Sequence, residues 1–196
     1  MAIACTIPGQ AGNLEAQLDE VEDACAVAVL AHPHPQYGGS MHDAVLATAT
    51  SVLLDHRTTC LRFNFRGVGA SGGSYDQGQG EVDDVVAAAA WLRGKYPNLP
   101  LWLSGYSFGA SMVWQALPRT VYERAILIAP PVGMMDFSGS ANAVQAIAGD
   151  RDDFVDADKF TNWLGADAHL IPGADHFFSG GHAQLATTLK SILAPS

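Results

Sequence analysis

Gly105-Tyr106-Ser107-Phe108-Gly109 sets a serine between two glycines, after the apolar run Leu101-Trp102-Leu103 and before the helix-compatible segment Ala110 to Leu117. A G-x-S-x-G so placed reads as a nucleophile elbow. The central serine takes a strained conformation on a sharp strand-to-helix turn, and glycines two positions away leave the room that turn needs. The amide of the next residue, Phe108, points at the same spot, where a helix N-terminus favours negative charge. The chemistry this supports is attack on an acyl carbon, with Ser107 as nucleophile and Phe108 as one backbone donor of an oxyanion hole.

Such a serine needs a base and an acid, expected later in the chain in turns that follow strands. Asn142 to Gly149 reads as a buried strand that empties into Asp150-Arg151-Asp152-Asp153. Asp152 is the expected acid, since a tight turn must travel about two residues beyond the glycine before a side chain swings back over the strand tips. Asp150 is the fallback, and the neighbouring carboxylates Asp153 and Asp156 read as solvated loop charges. Ala168-His169-Leu170-Ile171 then runs into Pro172-Gly173-Ala174-Asp175-His176. His176 is the expected general base, with Asp152 fixing its tautomer; Asp175 is a weaker alternative acid. No metal or organic cofactor is required by this scheme.

Five landmarks in order resemble the α/β-hydrolase family, and more narrowly its small lidless members with a His-Pro-His-Pro segment after the third strand: Ala31-His32-Pro33-His34-Pro35-Gln36-Tyr37-Gly38-Gly39-Ser40, then Asn64-Phe65-Arg66-Gly67-Val68-Gly69-Ala70-Ser71-Gly72-Gly73, then the elbow, then Gly149-x-x-Asp152-x-x-Val155, then Gly173-Ala174-Asp175-His176. The resemblance implies that the loop after the third strand supplies the second oxyanion amide. Aligning on Gly38-Gly39-Ser40 makes Tyr37 the donor, the first choice; aligning on His32 makes it His34. Pro33 and Pro35 have no amide hydrogen to give. Asn64 stands where many relatives carry aspartate and is read as structural. A rival reading takes His32 and His34, with His42 nearby, as metal ligands; structural zinc usually wants cysteine or a fuller histidine set, and the three cysteines are scattered.

The elements that must position these residues alternate strand and helix. Residues 2 to 7 and 13 to 19 suggest a hairpin, with an acidic cluster at Glu15, Asp19, Glu20, Glu22 and Asp23 read as a solvated face. Ala26 to Ala31, Cys60 to Phe65, Leu101 to Gly105 and Ala125 to Ala129 are apolar runs of buried parallel-strand type. Helices are expected from about His42 to Asp55 and from Glu81 to Gly94, with Glu81, Asp83 and Asp84 favourable at the N-terminal dipole. The glycine-rich stretch 66–80 lacks the Lys-Ser/Thr of a phosphate loop and reads as a turn. The prediction is an α/β chain folded as an α/β-hydrolase, its mostly parallel central sheet covered by helices on both faces, a single domain over residues 1–196 without a lid domain.

With 196 residues and 48% hydrophobic content the chain can bury a sizeable core. A formal charge of −10 opposes broad binding to nucleic acid or anionic membranes. Cys5, Cys25 and Cys60 lack pairing or ligand spacing; Cys25 and Cys60, in or beside strands, read as buried small hydrophobes. No signal peptide and no membrane-spanning window are read, so a cytoplasmic protein is expected. The sequence leaves a homo-oligomer open.

Only about a dozen residues separate Pro130 from Asn142, where larger relatives insert a helical lid. An open cleft is expected, with Pro131, Val132, Met134, Met135 and Phe137 as candidate apolar wall and Met134 and Met135 as candidate substrate contacts. Phe177 and Phe178 shield the base or anchor its loop. The expected activity is hydrolysis of small, accessible carboxylic esters or thioesters through an acyl-Ser107 intermediate; peptidase or acyltransferase chemistry on the same three residues, or a noncatalytic interaction module on the same fold, is the alternative.

Overall fold

The computed structural model describes residues 2–194. Its strands are β1 (Ala2–Gly9), β2 (Gly12–Asp19), β3 (Ala26–Ala31), β4 (Thr58–Phe63), β5 (Leu101–Tyr106), β6 (Arg124–Ile128), β7 (Val144–Gly149) and β8 (Ala168–Ile171). They form one sheet in the order β1-β2-β4-β3-β5-β6-β7-β8. β1 and β2 make an antiparallel hairpin, and β2 joins β4 antiparallel. From β4 through β8 all pairings are parallel. All six residues of β3 are buried, as expected for a strand covered on both faces.

Two apolar layers cover the sheet. On one face α2 (Gln79–Lys95), α3 (Phe108–Ala116) and Phe160 of α4 (Ala157–Leu164) share a core with Val27, Val29, Leu61, Phe63, Leu101 and Leu103. On the other, α1 (Ala44–Asp55) and α5 (His182–Leu193) pack over Ala28, Leu30, Ile126 and Ile147. Alternate residues of β3 thus serve opposite layers, as the two-residue period of a strand requires. α1 starts at Ala44 because Asp43 caps it, accepting from the amides of Val45 (2.8 Å) and Leu46 (3.3 Å). The helices α4 and α5 are additions to the elements expected from sequence.

Several expectations need correction. The hairpin carboxylates are no uniform solvated face: Glu15 accepts from Asn64 Nδ2 at 2.7 Å, Asp19 pairs with Arg62 at 2.9 Å, and Glu20 binds Lys95 and the Tyr96 hydroxyl. Glu81 and Asp84 do more than meet a dipole. Glu81 accepts from the amides of Asp76 and Gly78, and buried Asp84 takes the Arg66 guanidinium at 2.7 Å and the Arg66 amide at 3.0 Å. This fixes the start of the 66–80 stretch against α2. Cys60 is buried but Cys25 is exposed, because β3 begins one residue later and Cys25 sits in the bend before it. Between Ile128 and Val144 the chain crosses without a helix, so no lid covers the strand ends. No helix among the described residues is long and apolar enough to cross a membrane.

Candidate active site

Ser107 directly follows β5 and caps α3, with φ 55° and ψ −118°. A non-glycine residue held there is strained, and the surroundings hold it. Its amide donates to Ile128 O at 2.9 Å, tying the turn to the end of β6. The flanking glycines are required by contact: a Cβ on Gly105 would lie 2.3 Å from Gly109 O, and one on Gly109 would lie 2.2 Å from Ala31 O. The elbow is therefore pressed against the end of β3, with no atom to spare.

The turn after β7 delivers Asp152, and the loop after β8 delivers His176; both are buried. His176 Nδ1 lies 2.8 Å from Asp152 Oδ2, and His176 Nε2 lies 2.9 Å from Ser107 Oγ. A carboxylate accepts, so Nδ1 carries the proton and Nε2 offers its lone pair to the serine hydroxyl. Asp152 Oδ1 also accepts from the Phe154 amide at 2.9 Å, so one carboxylate orients both the ring and its own turn. Tyr106, buried beside Ser107, donates its hydroxyl to His176 O at 2.9 Å. Burial raises the Tyr106 pKa well above that of a free phenol, which keeps this donor protonated.

Asp150, the fallback acid, is exposed and accepts from the Gly173 amide at 2.6 Å, bracing the neighbouring turn. Asp175 faces the amide of Ser179 at 2.8 Å. Asp156 caps α4. Asn64 is structural in the sense expected: Oδ1 accepts from the Met41 amide at 2.8 Å while Nδ2 serves Glu15.

The loop after β3 overturns the preferred second donor. Pro35–Tyr37 form a 3₁₀ turn in which the Tyr37 amide is bound to His34 O at 3.1 Å, and the Tyr37 side chain is 86% exposed. Tyr37 cannot offer that amide elsewhere. The amides of His34 and Phe108 meet no acceptor among the described residues, and the two rings stand 4.7 Å apart. His34 is held at both ring nitrogens: Nδ1 accepts from the Gln36 amide at 3.2 Å, and Nε2 faces Tyr75 Oη at 3.1 Å. Burial lowers the His34 pKa, partly opposed by the Glu81 carboxylate. His32 is completely buried, with Nε2 accepting from the Phe65 amide at 3.0 Å and Nδ1 2.6 Å from Pro33 O. Burial pushes its pKa down to about 4, so it remains a neutral brace between two loops.

The apolar wall is less direct. Met134 is 70% exposed and Met135 half-buried, and their turn reaches the site through the Gly133 amide, 3.3 Å from Phe154 O. The aromatic rings that do flank His176 are Phe154, with centroids 4.5 Å apart, and Phe177, at 5.4 Å. Phe178 instead is fully buried beneath the loop. A cavity of about 750 Å³ lined by Trp114, Tyr122 and Asn142 lies at the C-terminal end of α3, the end opposite Ser107.

A family profile described as "alpha/beta hydrolase fold" matches residues 36–172. An uncharacterised protein of Rickettsia prowazekii is 36% identical over 189 residues, covering 87% of this chain and 79% of that protein. A crystal structure from Xanthomonas campestris, described as an a/b serine hydrolase without lid, superposes with a TM-score of 0.90 at 36% identity, covering 98% of this chain and 93% of that one. An alpha-beta serine hydrolase homologue from Coxiella burnetii gives 0.90 at 32% identity, covering 98% and 97%.

Proposed function

Since the chain belongs to the alpha/beta-hydrolase family, we propose that it is a serine hydrolase cleaving carboxylic esters or thioesters through an acyl-Ser107 intermediate. The observation that carries this reading is the unbroken hydrogen-bonded line from Asp152 Oδ2 through His176 to Ser107 Oγ, with steps of 2.8 and 2.9 Å. As Ser107 Oγ attacks the carbonyl carbon, its proton passes to His176 Nε2 and the carbonyl oxygen gains a negative charge. The amides of Phe108 and His34 receive that charge, as fixed dipoles that need no reorganisation. His176 then protonates the departing alkoxide as its bond to carbon breaks, leaving an ester on Ser107. Water, deprotonated by the same nitrogen, releases the acid and restores the hydroxyl. Asp152 orients and steadies the imidazolium in both halves.

Hydrolysis of p-nitrophenyl acetate and butyrate by the wild type and Ser107→Ala, with a fluorophosphonate label located by mass spectrometry, tests the proposal. Turnover that vanishes in Ser107→Ala, together with label on Ser107, is expected. No turnover and no label in the folded wild type would refute it and favour an interaction module built on the same fold.

A further inference from the structure

Large apolar side chains left open to solvent are informative when the fold could have hidden them. Phe177 is 64% exposed and Phe154 37% exposed, and each lies against the His176 imidazole. The backbones that carry both rings are tied to the site. Phe154 is held by its amide on Asp152 Oδ1, and Phe177 is the covalent neighbour of His176, whose carbonyl is gripped by Tyr106. The hydrogen bonds that align the three reacting residues thus also anchor the backbone from which two bare aromatic rings reach the base.

Resting on the serine hydrolase reading above, we propose that Phe154 and Phe177 form a shelf for the alcohol half of the substrate, and that the protein selects esters of uncharged aromatic alcohols. Geometry assigns the shelf to that half. The carbonyl oxygen must face the Phe108 and His34 amides, whereas the departing oxygen must reach His176 Nε2 to receive its proton. Whatever is attached to the departing oxygen therefore lies on the imidazole side, over Phe154 and Phe177. Two rings favour a third in an edge-to-face or offset arrangement.

Charge narrows the class. The turn beside the shelf carries exposed Asp150, Asp153 and Asp156, with half-exposed Asp175 from the next loop, against the cations Arg151 and Lys159, the latter 3.6 Å from Asp156. The backbone amide of Ser179 holds the Asp175 carboxyl below its usual range, so it stays charged. This acidic border disfavours alcohols bearing carboxylates or phosphates, including nucleotide-linked thiols.

The test holds the acyl group constant and varies the alcohol: methyl, benzyl and 4-carboxybenzyl acetates, beside methyl acetate and methyl phenylacetate as an acyl pair. In the wild type, kcat/KM should rise from methyl to benzyl acetate and fall again for the carboxybenzyl ester. Phe177→Ala should shrink the benzyl-to-methyl ratio about three- to tenfold, the size of one aromatic contact, while leaving the phenylacetate-to-acetate ratio in place. Phe177→Tyr should restore it. An alcohol ratio unchanged in both Phe177→Ala and Phe154→Ala, or a loss confined to the acyl pair, overturns the shelf. A wild type that hydrolyses none of these esters and takes no fluorophosphonate at Ser107 overturns the parent reading, and the shelf with it.

Discussion

Asp152→Asn replaces one carboxylate oxygen with an amino group and leaves the shape of a buried side chain nearly unchanged. Asp152 has two partners, the Phe154 amide on Oδ1 and His176 Nδ1 on Oδ2. Asparagine can keep the first, because its carbonyl oxygen still accepts from the Phe154 amide. That orientation turns the new NH₂ toward His176, so Nδ1 must accept and the ring proton moves to Nε2. A protonated Nε2 cannot take the proton of Ser107, whose oxygen lies 2.9 Å away. The side chain stays in place while the tautomer is wrong. Loss of a base held in its working tautomer has an effect of about 10⁴-fold, or about 5 kcal/mol of transition-state stabilisation. The assay is kcat/KM on p-nitrophenyl acetate and the rate of fluorophosphonate labelling, which should fall together, with thermal unfolding as the control for folding. Asp150→Asn is the matched comparison: its amide oxygen still accepts from Gly173, so activity should stay within about twofold. An Asp152→Asn protein within tenfold of wild type, or a large loss in Asp150→Asn, would refute the assignment.

The proposed role of the His34 amide can be isolated because His34 has φ −56°, a value proline adopts without strain. His34→Pro should lower kcat about 10²- to 10³-fold relative to His34→Ala, since only the proline variant removes the amide; equal rates would show that this amide is idle, and Tyr37→Phe should be near neutral. His32 makes stability depend on pH. Its folded pKa of about 4 lies below the ordinary 6.5, so the unfolded chain binds the extra proton between those values. The contribution is complete above pH 6.5 and falls by about 3 kcal/mol as pH drops to 4. Urea unfolding across that window should show a steeper loss for the wild type than for His32→Gln, and parallel curves would sink the argument.

The turns that bring Ser107, Asp152 and His176 together were legible because each lies just past a strand, and both strand and turn are written locally in apolar runs and glycines. Which loop amide stays unpaired was not legible, because the difference between Tyr37 and His34 depends on a 3₁₀ turn whose hydrogen bonds consume one amide and spare the other. The acidic residues were misread for a similar reason. Nothing near Asp84 in the chain announces Arg66, and nothing near Glu15 announces Asn64, since those partners come from other elements. Leu185, Leu189, Ile192 and Leu193 carry the helical spacing that marks α5, a signal the strand-centred reading passed over. α4 offers far less, with Phe160 as its one buried side chain. The shelf beside His176 needed coordinates, because Phe154 reaches it from a turn 22 residues upstream of the base.

Ser107 and His176 are separated by 69 positions in the chain, and two groups so far apart would ordinarily inherit the positional scatter of everything strung between them. Tyr106 breaks that inheritance. Its hydroxyl holds the carbonyl of His176 from the residue next to Ser107, so the separation is set across one short bridge and not along the intervening path. Away from the Gly133 contact with Phe154 O, the crossing from β6 to β7 is then free to lengthen over evolutionary time. An inserted cover could be acquired there, and reshape access to the cleft, without detuning the alignment underneath.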